Sequence, residues 1–115
     1  MQTEAFLTGK DTPVEEVDTG ITRQILGFND QIMMVKVWFE EGAQGYLHSH
    51  IHSQVTYIES GEFDVTVDNE TRTLVAGDCF FMKPFAEHGA ICKQAGVLID
   101  VFSPHREDFL GDKQS

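Results

Sequence analysis

The feature of this sequence that most restricts its fold is a succession of short strand-like runs separated by turn residues. From Met33 to Phe39 every second residue is apolar, and residues 63–67 show the same alternation. A period of two is typical of a half-buried β-strand. No long stretch shows the 3.6-residue period of an amphipathic helix. The sequence therefore predicts an all-β fold, either a sandwich or a closed barrel.

Turn residues set the expected strand ends. Residues 21–26 and 32–39 flank the turn-rich tetrapeptide 27–30 and are predicted to form a hairpin. Ser103-Pro104 pairs an N-cap residue with a proline suited to the first helical position, which predicts one helical turn over residues 105–110. Further strands are expected over residues 55–58, 63–67, 74–75, 79–82 and 97–102.

The length of the chain favours a single domain. With 115 residues, of which 41% are hydrophobic and 23% charged, the chain can bury one core, whereas two separate cores would each be too small. We therefore expect one domain over residues 1–115. Its barrel core is expected over about residues 21–102, with the short helical turn and a tail over residues 103–115.

Charge and segment composition exclude several classes of partner. The formal net charge of -11 disfavours nucleic acid and anionic membranes, both of which select clustered Lys and Arg. No segment has the ~18 apolar residues of a membrane span, and residues 1–7 lack the basic start and apolar run of a signal peptide. We expect a cytoplasmic protein in which Cys79 and Cys92 are free thiols.

Three of the five histidines lie within residues 48–54. If this segment is a strand, His48 and His50 project to the same face and can present imidazoles to one interior point. Imidazole binds Zn, Ni, Fe, Mn or Co, and the side-chain oxygen of Gln54 can add an uncharged ligand. On spacing alone, a metal site and a purely structural role for the two histidines are equally open.

A second motif favours the metal site. Gly77-Asp78 begins a predicted strand, Pro84 ends it and His88 follows. Together with the first motif, which runs from Gly42 through the histidines to Gly61, this pattern resembles the two motifs of the cupin superfamily from about residue 21 to residue 102. The sequence departs from the usual pattern at Gln54, where most cupins have glutamate, and at Cys92, where many have asparagine.

The resemblance implies a cupin double-stranded β-helix, or jelly-roll, barrel that holds one divalent metal ion of unspecified identity. The ligands it implies are His48, His50, Gln54 and His88. Strand spacing alone would admit His52, but cupins place this position in a turn, so we expect it outside the ligand set.

Two further expectations concern the surface. His105 is expected to be exposed to solvent. Small cupins commonly pair through their sheets, and a homodimer would cover exposed sheet edges. Residues 32–39, which include Trp38, are the expected interface.

Asp100 interrupts the otherwise apolar last strand, on the face shared by Leu98 and Phe102. A buried carboxylate costs several kcal/mol unless it is paired or hydrogen-bonded, so Asp100 needs a partner or a chemical task. A structural hydrogen bond at the barrel mouth remains an alternative. Arg106 is close enough in sequence to pair with Asp100 or to bind a substrate carboxylate through its guanidinium fork.

Residues 100–110 resemble the C-terminal signature of the uronate-linearising cupins of pectin and alginate breakdown. This likeness implies an enzyme that converts a cyclic 4,5-unsaturated monouronate to its linear ketouronate, with Asp100, Phe102 and Arg106 in catalysis. Because the ligand set is neutral, the metal charge would favour an anionic sugar. The alternatives are a noncatalytic sugar- or metabolite-binding cupin and, less favoured because Asp100 suits proton transfer, a metal-dependent dioxygenase.

Overall fold

The computed structural model describes residues 1–114, with side chains described through Leu110. A 3-10 turn over Gly9–Asp11 precedes the first strand. The strands are β1 (Glu15–Asp18), β2 (Ile21–Asn29), β3 (Ile32–Phe39), β4 (Gln44–His48), β5 (Ser53–Val67), β6 (Glu70–Val75), β7 (Cys79–Met82) and β8 (His88–Ser103). Helix α1 (Glu107–Gln114) follows. The described strand pairs are antiparallel, and the prediction of an all-β fold is confirmed.

The two longest strands, β5 and β8, organise the barrel. They pair with each other from the Ser53 and Ser103 end to the Val67 and His88 end. The second half of β8 also pairs with β3, and its first half pairs with β4. On the other side, β5 pairs with β7 through its first half and with β6 through its second half. Two layers therefore share β5 and β8, which is the predicted jelly-roll barrel.

Two glycines permit the bend at which β5 and β8 pass from one layer to the other. The ladder shifts register around Ser60 and Gly61, and Gly61 has a φ of +88°. A Cβ on Gly61 would lie 2.6 Å from the Cα of Gly96, and a Cβ on Gly96 would overlap the carbonyl oxygen of Ser60. The backbones thus approach as closely as only glycine allows.

The core lies between the two layers. The alternation predicted for β3 is confirmed, since Met33, Val35, Val37 and Phe39 are all buried. Phe39 contacts Phe63 edge to face, with the ring centroids 5.3 Å apart. This core fixes the inward face of each strand, and the predicted site residues of β5 and β8 follow the same alternation.

The first hairpin forms, but its turn is displaced from the prediction. Gly27 lies within β2, and the chain reverses at Asp30 and Gln31. The side chain of Asn29 stabilises this turn by accepting hydrogen bonds from the backbone N–H groups of Gln31 and Ile32, at 2.9 and 3.2 Å. A register shift between Ile25 and Phe28 accommodates Gly27, so the glycine marks a bulge and not the turn.

The chain after β8 also differs from the prediction. Ser103 still pairs with Ser53 in the ladder, and the Ser103-Pro104 peptide bond is cis. The helix begins at Glu107 and not at residue 105, since Pro104 lies in a bend and residues 105–106 are not helical, so Ser103 is too far from the helix to be its N-cap. The side chains of the predicted tail from residue 111 lie outside the described residues.

The structure tests two further expectations. Cys79 and Cys92 are free thiols, as predicted, with Cys79 exposed and Cys92 buried. Within residues 1–114, no helix has the length and hydropathy required to cross a bilayer.

Because Gly96 faces the Ser60 carbonyl at the bend, Gly96→Ala should destabilise the protein. Overpacking of this kind typically costs ~1–3 kcal/mol. Urea denaturation followed by circular dichroism would measure the loss. Gly9→Ala is the matched control, because a Cβ on Gly9 has no neighbour within 4 Å, and it should change stability by less than ~0.5 kcal/mol. Equal stability of the two variants would contradict this account of the bend.

Candidate metal centre

Three of the predicted ligands form a cluster. His48 ends β4 and His88 begins β8, and the two residues are directly opposite each other in the ladder. Their ring centroids are 4.3 Å apart, and the ring of His50 is 5.7 Å from His48 and 4.9 Å from His88. One potential ligand atom from each residue lies within 4.8 Å of the other two. This spread is near the ~4.2 Å that separates two opposite ligands about 2.1 Å from a common ion.

His50 reaches this cluster by a different route from the one predicted. It lies in the loop between β4 and β5, so strand alternation does not place it beside His48. The loop is held against the chain that precedes β8, because the backbone N–H of Phe85 donates a hydrogen bond of 2.8 Å to the carbonyl oxygen of His50. The expected proximity of the two histidines is observed, but the reasoning from a shared strand face was wrong.

Backbone hydrogen bonds orient two of the rings. His48 Nδ1 lies 2.8 Å from the carbonyl oxygen of Tyr46, and His88 Nδ1 lies 2.9 Å from that of Ala86. A carbonyl only accepts, so Nδ1–H donates and each Nε2 keeps a free lone pair. His88 Nε2 is buried and has no hydrogen-bond partner among the described residues. Such an atom is costly unless it binds a ligand, and an oriented imidazole of this kind suits a metal ion.

Gln54 on β5 brings an amide to the same cluster. Its Nε2 donates a 2.9 Å hydrogen bond to Thr56 Oγ1, which leaves Oε1 directed towards His50. Gln54 Oε1 accepts a 2.9 Å hydrogen bond from His50 Nε2, and a bound ion would take the place of the shared proton. Two adjacent ligands about 2.1 Å from one ion would be separated by about 3 Å, so this spacing suits joint coordination. The four predicted ligands therefore lie together, and they fit a divalent ion.

Two histidines of the cluster, His50 and His88, favour their neutral forms. Burial lowers the pKa of His88 to about 4. Burial, followed by the charge of Arg106, also lowers the pKa of His50. A histidine must be neutral to bind a metal ion. These residues consequently do not need to lose a proton at neutral pH before they bind one.

A cavity of about 130 Å³ adjoins the cluster. Six predicted site residues line it, namely His48, Gln54, His88, Asp100, Phe102 and Arg106. A larger depression of about 740 Å³ is lined by residues such as Glu16 and Trp38 and contains none of the predicted ligands. The smaller cavity is therefore the one that brings metal ligands together with a carboxylate and a guanidinium.

Asp100 lies across the ladder from Thr56. Asp100 Oδ1 accepts hydrogen bonds from Thr56 Oγ1 at 2.6 Å and from Gln54 Nε2 at 3.4 Å, and Oδ2 receives none from the described residues. Burial raises the pKa of Asp100 to about 6, and its hydrogen bonds only partly oppose this effect. Part of the residue remains open to the cavity, so the carboxyl group is fixed through one oxygen while the other is free.

Arg106 is paired with a different carboxylate from the one suggested by sequence. Its Nε and Nη2 donate to Asp108 Oδ1 and Oδ2 at 3.0 and 2.8 Å, and no hydrogen bond joins it to Asp100. The guanidinium also lies over the rings of Phe102 and Phe109, at 5.1 and 4.4 Å from their centroids. Asp108 thus occupies the fork, and Arg106 Nη1 has no acceptor among the described residues.

The other two histidines lie outside the cluster. His52 is buried in the loop before β5, and its Nε2 donates a 3.0 Å hydrogen bond to the carbonyl oxygen of His105. His105 is half-buried, with its ring stacked on Phe28 at 6.3 Å between centroids. The expected solvent exposure of His105 was wrong, because the turn before β3 and the ring of Phe28 cover one side of it.

Three residues that support the site, Thr56, Phe109 and Arg23, were not identified from the sequence. Thr56 is fully buried and donates to Asp100, and its spacing of two from Gln54 could have identified it. Phe109 packs edge to face on Phe102, with centroids 5.6 Å apart, and the Arg23 guanidinium lies 3.9 Å from the Phe109 centroid. No local pattern identifies this contact, because Arg23 and Phe109 are distant in sequence.

Comparisons with known proteins agree with this geometry. The profile of the cupin domain family matches residues 35–102. The pectin degradation protein KdgF of Dickeya dadantii (strain 3937) is 44% identical over 107 residues, which cover 91% of this chain and 97% of that protein.

Two solved structures share both sequence and fold with the chain. An RmlC-like cupin from Shewanella frigidimarina NCIMB 400 superposes with a TM-score of 0.92 and is 53% identical, over 94% of this chain and 97% of its own. KdgF from Halomonas sp. superposes with a TM-score of 0.89 and is 35% identical, over 94% of this chain and 100% of its own.

We expect about one divalent ion per chain, and the variant with both His48→Ala and His88→Ala should lose most of it. The two substitutions remove two of the four candidate ligands and leave no compensating donor. Elemental analysis after dialysis against a mixture of divalent ions would measure the content. His105→Ala, which changes a histidine outside the cluster, should retain the ion. Unchanged metal content in the double variant would refute the ligand assignment.

Proposed function

The chain belongs to the cupin domain family and, within it, to the family of the pectin degradation protein KdgF, and from this premise we propose that it is a metal-dependent enzyme of uronate breakdown. Its proposed reaction opens the ring of a cyclic 4,5-unsaturated monouronate and yields the linear ketouronate. His48, His50, Gln54 and His88 would hold the metal ion, and Asp100, Phe102 and Arg106 would act on the sugar.

The observation that carries this proposal is the position of Asp100. Its carboxyl group lines the same cavity as His48, His88 and Gln54, and Thr56 holds one of its oxygens while the other is free. A carboxylate that merely stabilised the barrel would be expected to have both oxygens engaged. A fixed carboxyl group with one available oxygen beside a cluster of metal ligands suits proton transfer to a bound substrate.

The reaction requires one proton to move within the sugar. The anomeric hydroxyl loses its proton, the bond between the anomeric carbon and the ring oxygen breaks, and the ring oxygen gains a proton. Asp100 Oδ2 can take the first proton and deliver the second, so the carboxyl group ends in its starting state. The product is an enol, which becomes the ketone when its hydroxyl loses a proton and the neighbouring carbon of the double bond gains one. No oxidant or second substrate is consumed.

The remaining residues would hold the sugar. A bound divalent ion would orient the sugar and polarise its oxygens. Phe102, which is buried beside the cavity, would pack against the ring. Asp108 accepts hydrogen bonds from two nitrogens of the Arg106 guanidinium. The uronate carboxylate would therefore accept a hydrogen bond from the third nitrogen, Nη1, alone.

The size of the cavity bears on the substrate. About 130 Å³ is well below the ~300 Å³ at which pockets for drug-sized ligands begin, which favours a monosaccharide over an oligosaccharide. A monouronate is the product of complete polysaccharide cleavage, so the enzyme would act late in degradation. We place this activity in the cytoplasm, where Cys79 and Cys92 would remain reduced.

One experiment separates the candidate functions. Purified protein would be mixed with unsaturated galacturonate without oxygen, and the sugar followed by ultraviolet absorbance and proton NMR. Ring opening faster than in buffer alone supports the proposal. Binding without conversion would instead indicate a sugar-binding cupin, and activity only after oxygen is supplied would indicate a dioxygenase.

Asp100→Asn should reduce the rate of ring opening by ~10²–10⁴-fold, because an amide keeps the shape of the side chain but cannot accept the proton. Arg106→Ala should act mainly by raising KM, because it removes a cation that contacts the substrate carboxylate equally before and during reaction. Steady-state kinetics with each variant would test both expectations, and elemental analysis should show that each retains the metal.

Two substitutions away from the cavity serve as controls. Asp18→Asn changes an exposed carboxylate of β1, and Arg72→Ala removes an exposed arginine of β6. Both should react at the wild-type rate. If Asp100→Asn and Arg106→Ala do so as well, the proposed mechanism is wrong.

We also propose that the protein is a homodimer that pairs through the outer side of one layer. Met34, Val101, Val55 and Phe81 form one row across β3, β8, β5 and β7. The adjacent row includes Tyr57, which is 50% exposed, and Phe81 is 63% exposed. The first row is apolar throughout, as is typical of an interface, and a second copy supplies an identical apolar row to cover it.

The expected mass in solution is twice the 12.9 kDa of one chain. Tyr57→Lys should give a monomer, because a twofold interface would place two unpaired cations in an apolar contact. Tyr46→Lys is the control, since Tyr46 is exposed on β4, away from this face. Light scattering at micromolar concentration would measure the mass. A monomeric wild type would contradict the dimer.

A further inference from the structure

The short segment between β8 and α1 carries Arg106, and side chains from other parts of the fold hold it. His52 Nε2 lies 3.0 Å from the carbonyl oxygen of His105, and His105 Nδ1 lies 3.1 Å from the carbonyl oxygen of Asp30. Both acceptors are carbonyls, so both histidines donate. The segment is therefore fixed on one side to the loop of metal ligands and on the other to the turn between β2 and β3.

His52 is the buried member of this pair. It is 9% exposed, and its ring centroid lies 5.3 Å from that of His50 and 6.4 Å from that of Phe102. It is not part of the cluster formed by His48, His50 and His88. Its Nε2 is engaged by the carbonyl oxygen of His105 and not by the cluster, which indicates a role other than metal binding.

We infer that His52 is a positioning residue that fixes the direction in which Arg106 enters the cavity. The inference rests on the proposed function, because it concerns how Arg106 meets an anionic substrate. The carbonyl of His105 belongs to the peptide plane that joins His105 to Arg106. Since a peptide unit is planar, the hydrogen bond from His52 fixes the orientation of the plane from which the Arg106 side chain departs.

Contacts beyond the segment complete the constraint. Asp108 binds two nitrogens of Arg106, and the guanidinium groups of Arg106 and Arg23 lie 4.4 and 3.9 Å from the ring centroid of Phe109. These contacts fix the guanidinium end, whereas His52 fixes the backbone end. Arg106 therefore keeps one orientation before substrate binds, which reduces the entropy lost on binding.

The test uses two substitutions that differ in which ring nitrogen they imitate. The amide nitrogen of Gln lies at the chain length of His Nε2, whereas that of Asn lies at the chain length of Nδ1. His52→Gln should preserve the hydrogen bond to His105 and keep KM close to the wild-type value. His52→Asn should lose the bond and raise KM by about three- to tenfold, the equivalent of one hydrogen bond, with a smaller effect on kcat.

A double-variant cycle shows whether the effect passes through Arg106. When Arg106→Ala is already present, His52→Asn should raise KM no further, because there is no longer a guanidinium to position. Metal content should stay at the wild-type level in every His52 variant. Loss of metal from both His52→Gln and His52→Asn would make His52 a ligand. An equal increase in KM caused by His52→Asn in the wild-type and the Arg106→Ala backgrounds would indicate general structural damage. Either result would overturn the inference.

The outcomes also separate this inference from the proposed function. If the wild type does not convert the uronate, the proposed function fails. If the wild type is active and Arg106→Ala raises KM but His52→Asn does not, the function stands and the positioning role of His52 is wrong.

Discussion

The structure depends on the continuous pairing of β5 with β8. This ladder belongs to both layers of the barrel, and its inward positions carry Gln54, Thr56, Asp100 and Phe102 in adjacent pairs. Because a strand shows alternate side chains to opposite faces, one register sets the amide, the hydroxyl, the carboxyl and the aromatic ring against the same cavity. A slip of one residue would turn Asp100 out of the barrel and replace it with an apolar neighbour.

Strands were predictable from the sequence where apolar alternation is strong. They were missed where small or polar residues interrupt that alternation. β3 and β7 were predicted with their observed bounds, since bulky side chains fill their inward positions. The first half of β8 was missed. Its buried positions, Ala90 and Cys92, are small, and residues 93–96 read locally as a turn. Pairing with β4 and β5 keeps this half extended, and such long-range pairing leaves little trace in local sequence.

The sequence predicted which residues form the candidate site but not how the fold brings them together. The spacing of His48, His50, Gln54 and His88 identified a set of residues that the structure brings together. However, His50 reaches the set from a loop whose conformation depends on a hydrogen bond from Phe85. The partner of Arg106 was also missed. Asp108 is only two residues along the chain, so its carboxylate accepts hydrogen bonds from two nitrogens of the Arg106 guanidinium at little entropic cost. Asp100 is instead held by Thr56.

The proposed binding of an anionic sugar requires an acidic chain to overcome its own charge, and the arrangement of the site offers a way to do so. The net charge of -11 is distributed over the whole chain, and at physiological ionic strength exposed charges are screened within about 8 Å. Inside the cavity the balance of charge is different. The candidate ligands carry no negative charge, so a bound divalent ion would keep its full charge, whereas the Arg106 guanidinium is already paired with Asp108. A glutamate in place of Gln54 would cancel part of this charge and would compete with the substrate carboxylate for the ion. The glutamine thus provides an oxygen ligand and leaves the local electrostatic field attractive to an anion. The surrounding acidic surface affects only the approach of the anion to the cavity.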